Sequence, residues 1–210
     1  MPSYLLLFLE PREDQKANFP EWRREVFSTD SSITRCLYLD ATDAVTETNT
    51  YRYLNIYRFV GSAPCTEPKI EDQLSSHSTN IHLTSYHWQI YHPITESREP
   101  SLFAPTVVTV GMTIPTDPTS HNELSRWYAE EHIPALATVP GWQAAFRLQL
   151  VSSSDGGGDS TAPYLAIHEW GEPNELGKQI WKKAILTPGT KGIEDLQTAP
   201  MQRRVWKLSL

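Results

Sequence analysis

An internal repeat constrains the fold of this 210-residue chain more than any other feature of its sequence. The segment Tyr53–Phe59 (YLNIYRF) resembles the segment Tyr164–Trp170 (YLAIHEW). Closer to the start of each half, Trp22 is matched by Trp127 at a similar offset. Self-similarity over roughly one hundred residues indicates two copies of one structural unit.

The predicted order of strands and helices is the same in both copies. In the first copy we predict strands at residues 4–9, 33–40, 51–59 and 85–93, with helices at 19–27 and 69–76. In the second we predict strands at 106–114, 143–151, 163–170 and 204–208, with helices at 122–137 and 174–186. A β-α-β-β-α-β order is typical of the ferredoxin-like arrangement. We therefore predict an α+β fold with ferredoxin-like repeats at residues 1–96 and 106–210, joined by a linker at 97–105.

One face of each predicted sheet lacks helices and has to be covered. Two copies can turn these bare faces toward each other and close a pseudo-dimeric α+β barrel. Side-chain alternation puts Leu54 and Ile56, like Leu165 and Ile167, on the helix side, and leaves an amphipathic set on the other face. We predict that this set lines a small-molecule pocket inside the barrel. Its predicted members are Tyr53, Asn55, Tyr57, His92, Thr109, Tyr164, His168 and Trp170.

Composition argues against several classes of protein. The formal net charge is −7, and no cluster of Lys or Arg is interleaved with aromatic residues, which argues against nucleic-acid partners and a polybasic membrane anchor. The apolar start at residues 4–9 is too short for a signal peptide or a membrane span. Cys36 and Cys65 are too few for a disulfide framework, so we expect a cytoplasmic protein with reduced thiols.

The second copy carries a motif that the first copy lacks. Its run Trp127–Pro134 (WYAEEHIP), followed by Pro140-Gly141-Trp142 and by Arg147, resembles the WY-x-EEH-x-P…PG-[FW]…R pattern of EthD-like members of the dimeric α+β barrel superfamily. In the first copy, Trp22 is followed by Arg-Arg-Glu instead. The resemblance implies one functional site per chain, nearer the second copy. It also implies a choice among cofactor-free quinone-forming monooxygenases, polyketide cyclases, decarboxylases of aromatic polyketides, and stress-response proteins without clear chemistry.

Four residues are the predicted catalytic group: His168, His132, Arg147 and Tyr128. A histidine can take or return a proton near neutral pH, although His168 could instead only shape the pocket, and His132 could simply end a helix. A buried Arg147 has to pair with Glu131 or receive an enolate oxygen. Trp127 and Glu131 complete the predicted substrate contacts.

Metal and cofactor sites are not predicted. His77, His82, His87 and His92 recur every five residues, a spacing that suits neither a helix face nor one side of a strand, so we expect them to diverge. The sequence has no dinucleotide fingerprint, nucleophile elbow or zinc-spaced set. Any chemistry should therefore be cofactor-independent acid–base catalysis.

These observations lead to one main function and two alternatives. We predict a tailoring enzyme that cyclises or decarboxylates a hydrophobic, oxygenated small molecule derived from a polyketide. The alternatives are a cofactor-free oxygenase of an anthrone-like substrate and a non-catalytic small-molecule-binding stress protein. All three need the same pocket. A homodimer, formed through an exposed strand edge or helix face, is left open.

Overall fold

The computed structural model describes residues 2–43, 50–60, 65–96, 101–156 and 161–209. The first half contains β1 (Ser3–Pro11), α1 (Phe19–Glu25), β2 (Ile33–Ala41), β3 (Tyr53–Phe59), α2 (Glu67–Ser76), α3 (Thr79–His82) and β4 (Leu83–Glu96). The second half contains β5 (Thr106–Met112), α4 (Pro118–Trp127), a π-helical turn (Tyr128–His132), α5 (Ile133–Leu136), β6 (Trp142–Ser153), β7 (Tyr164–Trp170), α6 (Gln179–Ala184), α7 (Thr190–Leu196) and β8 (Gln202–Leu208). Of the predicted linker, residues 97–100 lie outside the described ranges.

The described strands form a closed barrel in the order β1-β3-β2-β8-β5-β7-β6-β4. Around the barrel, β4-β1-β3-β2 and β8-β5-β7-β6 repeat one order of fourth, first, third and second strand. Helices follow the first and third strand of each half, so both halves have the β-α-β-β-α-β order. The predicted α+β barrel fold is confirmed.

Contacts divide the chain into two compact units. One contains Met1–Pro93, Gln149–Thr161 and Trp206–Leu210, and the other contains Ile94–Leu148 and Ala162–Val205. In the first unit, α1 and α2 bury Trp22 and Ile70 in one apolar cluster with Tyr57 and Phe59 of β3. In the second unit, Leu124 of α4 and Ile193 of α7 pack with Tyr164 of β7. Each unit therefore has an apolar core between its helices and its strands.

The predicted facing of β3 is wrong. Tyr53 lies against Phe19 of α1, with 4.5 Å between the ring centroids, and Asn55 Nδ2 donates to the Arg23 backbone oxygen at 3.2 Å. Tyr57 packs on Phe27 directly after α1. These three predicted substrate contacts are therefore core residues on the helix side of the sheet.

The predicted facing of β7 is wrong in the same way. Antiparallel pairing places His168 opposite Val108 and Tyr164 opposite Met112. Residues that pair across two strands share a sheet face. Val108 packs with Leu136 of α5, and Met112 packs with Leu124 of α4, so both lie on the helix side. Tyr164, His168 and Trp170 thus face the helices of their unit.

Two other predicted pocket residues lie elsewhere. Thr109 pairs with Ile167, so its side chain is on the sheet face opposite to that of His168. His92 is exposed on β4. Neither residue is among those around the cavity described below.

The helix ends show which local signals the prediction missed. Helix α4 begins at Pro118, before the predicted start at residue 122, because Asp117 Oδ1 accepts hydrogen bonds from the amides of Thr119 and Ser120. Helix α6 begins later than predicted, after Gly177 at φ 78°. Within the described ranges, no helix is both long and apolar enough to cross a bilayer.

Candidate functional site

A cavity of about 140 Å³ lies in the second unit, between strands β5 and β7 and the surrounding helices. The sheet contributes apolar residues together with His168, and the region of α4 and α5 contributes Trp127, His132 and Leu136. The rest of the lining comes from residues 176–203: Leu176, Trp181, Ile185, Leu186, Thr190, Ile193, Glu194, Gln197, Met201 and Arg203. The lining is mostly apolar with a few polar groups, as in small-molecule sites.

The π-helical turn after α4 places His132 at this cavity. Turns of this kind insert an extra residue into a helix and are frequent at functional sites. The His132 ring stacks on Trp127 with 4.3 Å between centroids, and the Tyr128 ring meets it edge-on at 5.3 Å. Two aromatic rings therefore fix the orientation of the imidazole.

His132 and His168 are neighbours in the lining of the cavity. Their ring centroids are 6.0 Å apart and the rings are nearly perpendicular. Burial lowers the pKa of His132 to about 4. Burial, assisted by the nearby His132 and Arg203, lowers the pKa of His168 to about 3. Both imidazoles are therefore neutral at neutral pH, which makes them proton acceptors or hydrogen-bonding groups rather than charged acids.

Four buried polar atoms around the cavity have no hydrogen-bond partner within the described residues: His132 Nδ1, His168 Nδ1, Trp170 Nε1 and Gln197 Oε1. Trp170 Nε1 can only donate a hydrogen bond, and Gln197 Oε1 can only accept one. Because buried polar groups without partners are costly, we expect water or a ligand to satisfy them. A ligand that does so carries both an acceptor and a donor.

Glu131 does not pair with Arg147, which corrects one prediction. Glu131 Oε2 accepts a hydrogen bond from the Gly189 amide at 2.7 Å, and Trp127 Nε1 donates to Thr187 Oγ1 at 2.8 Å. Both bonds hold the segment just before α7, a helix that supplies part of the cavity wall. Glu131 therefore positions the wall and is not among its lining residues.

Replacing Glu131 by alanine should loosen the start of α7, since the Gly189 amide loses its acceptor. We expect a loss of about 1–2 kcal/mol in the free energy of unfolding and faster hydrogen exchange at the Gly189 amide. Glu131→Gln keeps a side-chain oxygen and should restore most of the protection. The neighbouring Glu130 is exposed, so Glu130→Ala is the matched control. Equal exchange in Glu131→Ala and the control would contradict this role.

Arg147 lies beside the cavity rather than in it. Its guanidinium is 4.5 Å from the centroid of the Tyr128 ring, and Nη2 donates to Ser125 Oγ at 3.4 Å. The side chain is 5% exposed, and within the described ranges no carboxylate pairs with it. Burial lowers the pKa of Arg147 and raises that of Tyr128 to about 12. A separate space of about 10 Å³, enough for one water molecule, adjoins Arg147, Tyr128 and Tyr164.

The structure thus brings together only some of the predicted site residues. His132, His168, Trp127 and Trp170 meet at the cavity, while Arg147, Tyr128 and Tyr164 form a neighbouring group. The catalytic roles of these residues stay predictions. Sequence reasoning missed the wall formed by α7, although Thr190, Ile193, Glu194 and Gln197 have the i, i+3, i+4, i+7 spacing of one helix face.

In the first half, two aromatic residues occupy the positions equivalent to His132 and His168. Phe27 precedes His132 by the same offset that separates Trp22 from Trp127, and Tyr57 matches His168 in the repeated strand. Phe27 and Tyr57 are buried, with 5.0 Å between their ring centroids. Aromatic packing therefore occupies, in the first half, the position that carries two imidazoles in the second.

The regularly spaced histidines diverge as predicted. His77 Nδ1 bonds to the Gln73 backbone oxygen, His82 stacks on Trp22, and His87 bonds to Ser154 and Thr161. In the part of the chain that the structure describes, no group of three or more His, Cys, Asp or Glu side chains is arranged to hold a metal ion. Cys36 and Cys65 have free thiols.

No protein-family model matches the chain, and no curated protein sequence is significantly similar to it. Solved structures do match. An anthrone oxidase-like protein is 15% identical, with 100% of this chain and 91% of that one covered and a TM-score of 0.61. The two chains share an α+β barrel fold. A major regulator of staphylococcal pathogenesis (8% identity, 99% and 99% covered, TM-score 0.56) and a monooxygenase-like protein from Listeria innocua (11%, 99% and 95%, TM-score 0.52) share it.

These similarities correct the main functional prediction. Two of the three proteins are named for oxidase or monooxygenase chemistry, and none is named a cyclase or a decarboxylase. The prediction of cyclisation or decarboxylation is therefore wrong, and the oxygenase alternative is favoured. At these identities the likeness concerns the fold alone, and the EthD-like assignment stays a resemblance of motif.

Proposed function

We propose that this chain is a cofactor-independent oxygenase that oxidises a hydroxylated aromatic, anthrone-like substrate with dioxygen. The observation that carries the proposal is the pair of neutral imidazoles, His132 and His168, which lie in a mostly apolar cavity and whose Nδ1 atoms have no hydrogen-bond partner among the described residues. A neutral imidazole can accept the proton of a weakly acidic C–H group. The fold shared with an anthrone oxidase-like and a monooxygenase-like protein supports the same class.

The proposed reaction begins with transfer of a proton to His132 from the CH₂ group that lies opposite the carbonyl in the central ring of the substrate. His132 is the better acceptor because the positive charge of Arg203 opposes protonation of His168. The resulting enolate gives one electron to dioxygen, and the two radicals combine into a peroxide. The peroxide O–O bond breaks as the second CH₂ proton leaves carbon and the His132 proton returns to the departing oxygen as water. The balance is R₂CH₂ + O₂ → R₂C=O + H₂O.

His168 and Trp170 are proposed to hold the substrate oxygen during this reaction. Trp170 Nε1 is a buried donor without a partner in the described chain, so it can stabilise negative charge that develops on an enolate oxygen. The imidazole of His168 faces the same cavity. Their contribution should be greater for the enolate than for the neutral substrate, because a donor interacts more strongly with a charged acceptor.

Dioxygen dependence tests the proposed function directly. Purified protein with anthrone in air should consume one O₂ per substrate, and ¹⁸O₂ should label the new carbonyl. We expect no product under argon and a rate about 100-fold slower or more in His132→Phe, since general-base catalysis is lost. His77→Gln, a histidine of the first unit, is the matched control. Unlabelled product, or product formed equally fast under argon, would overturn the proposal.

A non-catalytic binding protein is the second candidate. A regulator shares the fold, and the same unpaired atoms could hold a ligand without changing it. Saturable binding with every ligand returned unchanged, in air and with active controls, would favour this candidate. A cytoplasmic location and a homodimer are kept as further proposals.

A further inference from the structure

The cavity runs from buried polar groups to an exposed end, where its lining residues are Leu186, Met201, Glu194 and Arg203. His168 and Trp170 are 3% and 1% exposed, whereas Leu186 and Met201, which also line the cavity, are 69% and 45% exposed. Single exposed apolar residues are common on protein surfaces. These two, however, lie at the mouth of one cavity, and we call them the rim.

The cavity is too small to enclose a polycyclic ligand. Its volume of about 140 Å³ is close to that of a cavity known to hold one benzene molecule, roughly 150 Å³. Pockets that enclose larger ligands measure about 300–1,000 Å³. One ring can therefore be buried beside the two imidazoles, and the remainder of a larger ligand has to lie outside.

We propose that one hydroxylated ring of the substrate enters the cavity and that the apolar remainder of the molecule lies across Leu186 and Met201. The ring would supply the acceptor and donor that Trp170 Nε1 and Gln197 Oε1 lack within the described chain. The remainder would cover apolar surface that is otherwise in water. This proposal rests on the proposed function only for the choice of a hydroxylated ring.

A series of 5-alkylresorcinols, from methyl to heptyl, tests the rim. Binding can be followed under argon by quenching of tryptophan fluorescence, because Trp127, Trp170 and Trp181 line the cavity. We expect the dissociation constant to fall about fourfold for each added CH₂ and then to level off once the chain extends past the rim. In the double variant Leu186→Ser/Met201→Ser the fall should be less than twofold per CH₂. The double variant should therefore lose more affinity for the heptyl compound than for the methyl compound.

Phe103→Ser is the matched control, since Phe103 is an exposed apolar residue (64%) that does not line the cavity. It should retain the full dependence on chain length. The proposal is overturned if the dependence is absent from the unsubstituted protein or persists in the double variant. It is equally overturned if the protein is a dimer that the double variant dissociates, because the rim would then serve self-association. The binding series needs no turnover, so a failure of the oxygenase proposal leaves its result interpretable.

Discussion

His132→Phe is expected to lower kcat by about 100-fold or more on any substrate that the chain oxidises. The substitution removes the proposed proton acceptor, a contribution typically worth 10²–10⁴ in rate. A phenyl ring can keep the stack on Trp127, so the shape of the cavity should be retained. In His168→Phe we expect the larger change in KM, because that residue is proposed to hold the substrate oxygen. Steady-state kinetics with an oxygen electrode measures both parameters.

The comparison of kcat and KM between the two variants distinguishes the roles of the two histidines. Equal losses of kcat in both variants would mean that the imidazoles act as one unit, and the assignment of His132 as the base would be withdrawn. An unchanged kcat in His132→Phe would remove the proton-transfer mechanism altogether. Far-ultraviolet circular dichroism of each variant establishes that the fold is retained.

The double variant His132→Phe/His168→Phe should lose much of the pH dependence of stability between pH 6.5 and 4.5. An unfolded histidine titrates near 6.5, whereas burial lowers the pKa values in the folded chain to about 4 and about 3. Below pH 6.5 the unfolded state therefore binds protons that the folded state does not, and stability falls with pH. The loss should be roughly 2–3 kcal/mol per histidine at pH 4.5, at 1.36 kcal/mol per pKa unit.

Urea unfolding at pH 7.5 and 4.5 measures this effect. The quantity to compare is the change in free energy of unfolding between the two pH values, because phenylalanine also alters packing at both. His87 is also buried and its pKa is also lowered, so His87→Gln serves as a reference for a histidine outside the cavity. If the double variant loses as much stability on acidification as the unsubstituted protein, burial does not lower the pKa values of the two imidazoles.

The repeat made the architecture predictable, but it could not fix which sheet face carried the site. In most half-buried strands the polar face points away from the core, and that expectation placed Tyr57 and His168 inside the barrel. Here both faces of β3 and β7 are buried, so alternation separates two faces without saying which one meets the helices. The pairing of His168 with Val108 decides the question, and the register of two strands is a tertiary property.

The part of the cavity wall that α7 forms could not be predicted from the sequence, unlike the site residue in the Trp127–Pro134 motif. The motif singled out His132 as a candidate site residue, and in the structure its ring stacks on Trp127 within one helical segment. Helix α7 was missed because Pro188-Gly189 and Gly192 are residues that usually interrupt helices, and the helix buries only Ile193. Tertiary hydrogen bonds from Glu131 and Trp127 hold the segment before it, and no local pattern reports them.

The aromatic pair Phe27 and Tyr57 has a consequence for how such a chain can change over generations. When a barrel is assembled from two identical subunits, every substitution appears twice, and a residue that improves catalysis has to be tolerated at both positions. Fusion of the copies removes that constraint. The first half can keep its packed aromatic rings, which stabilise the fold. In the second half the equivalent positions can carry imidazoles, at a loss of packing free energy. The expected signature is one ligand bound per chain, with a hyperbolic isotherm and a Hill coefficient of one.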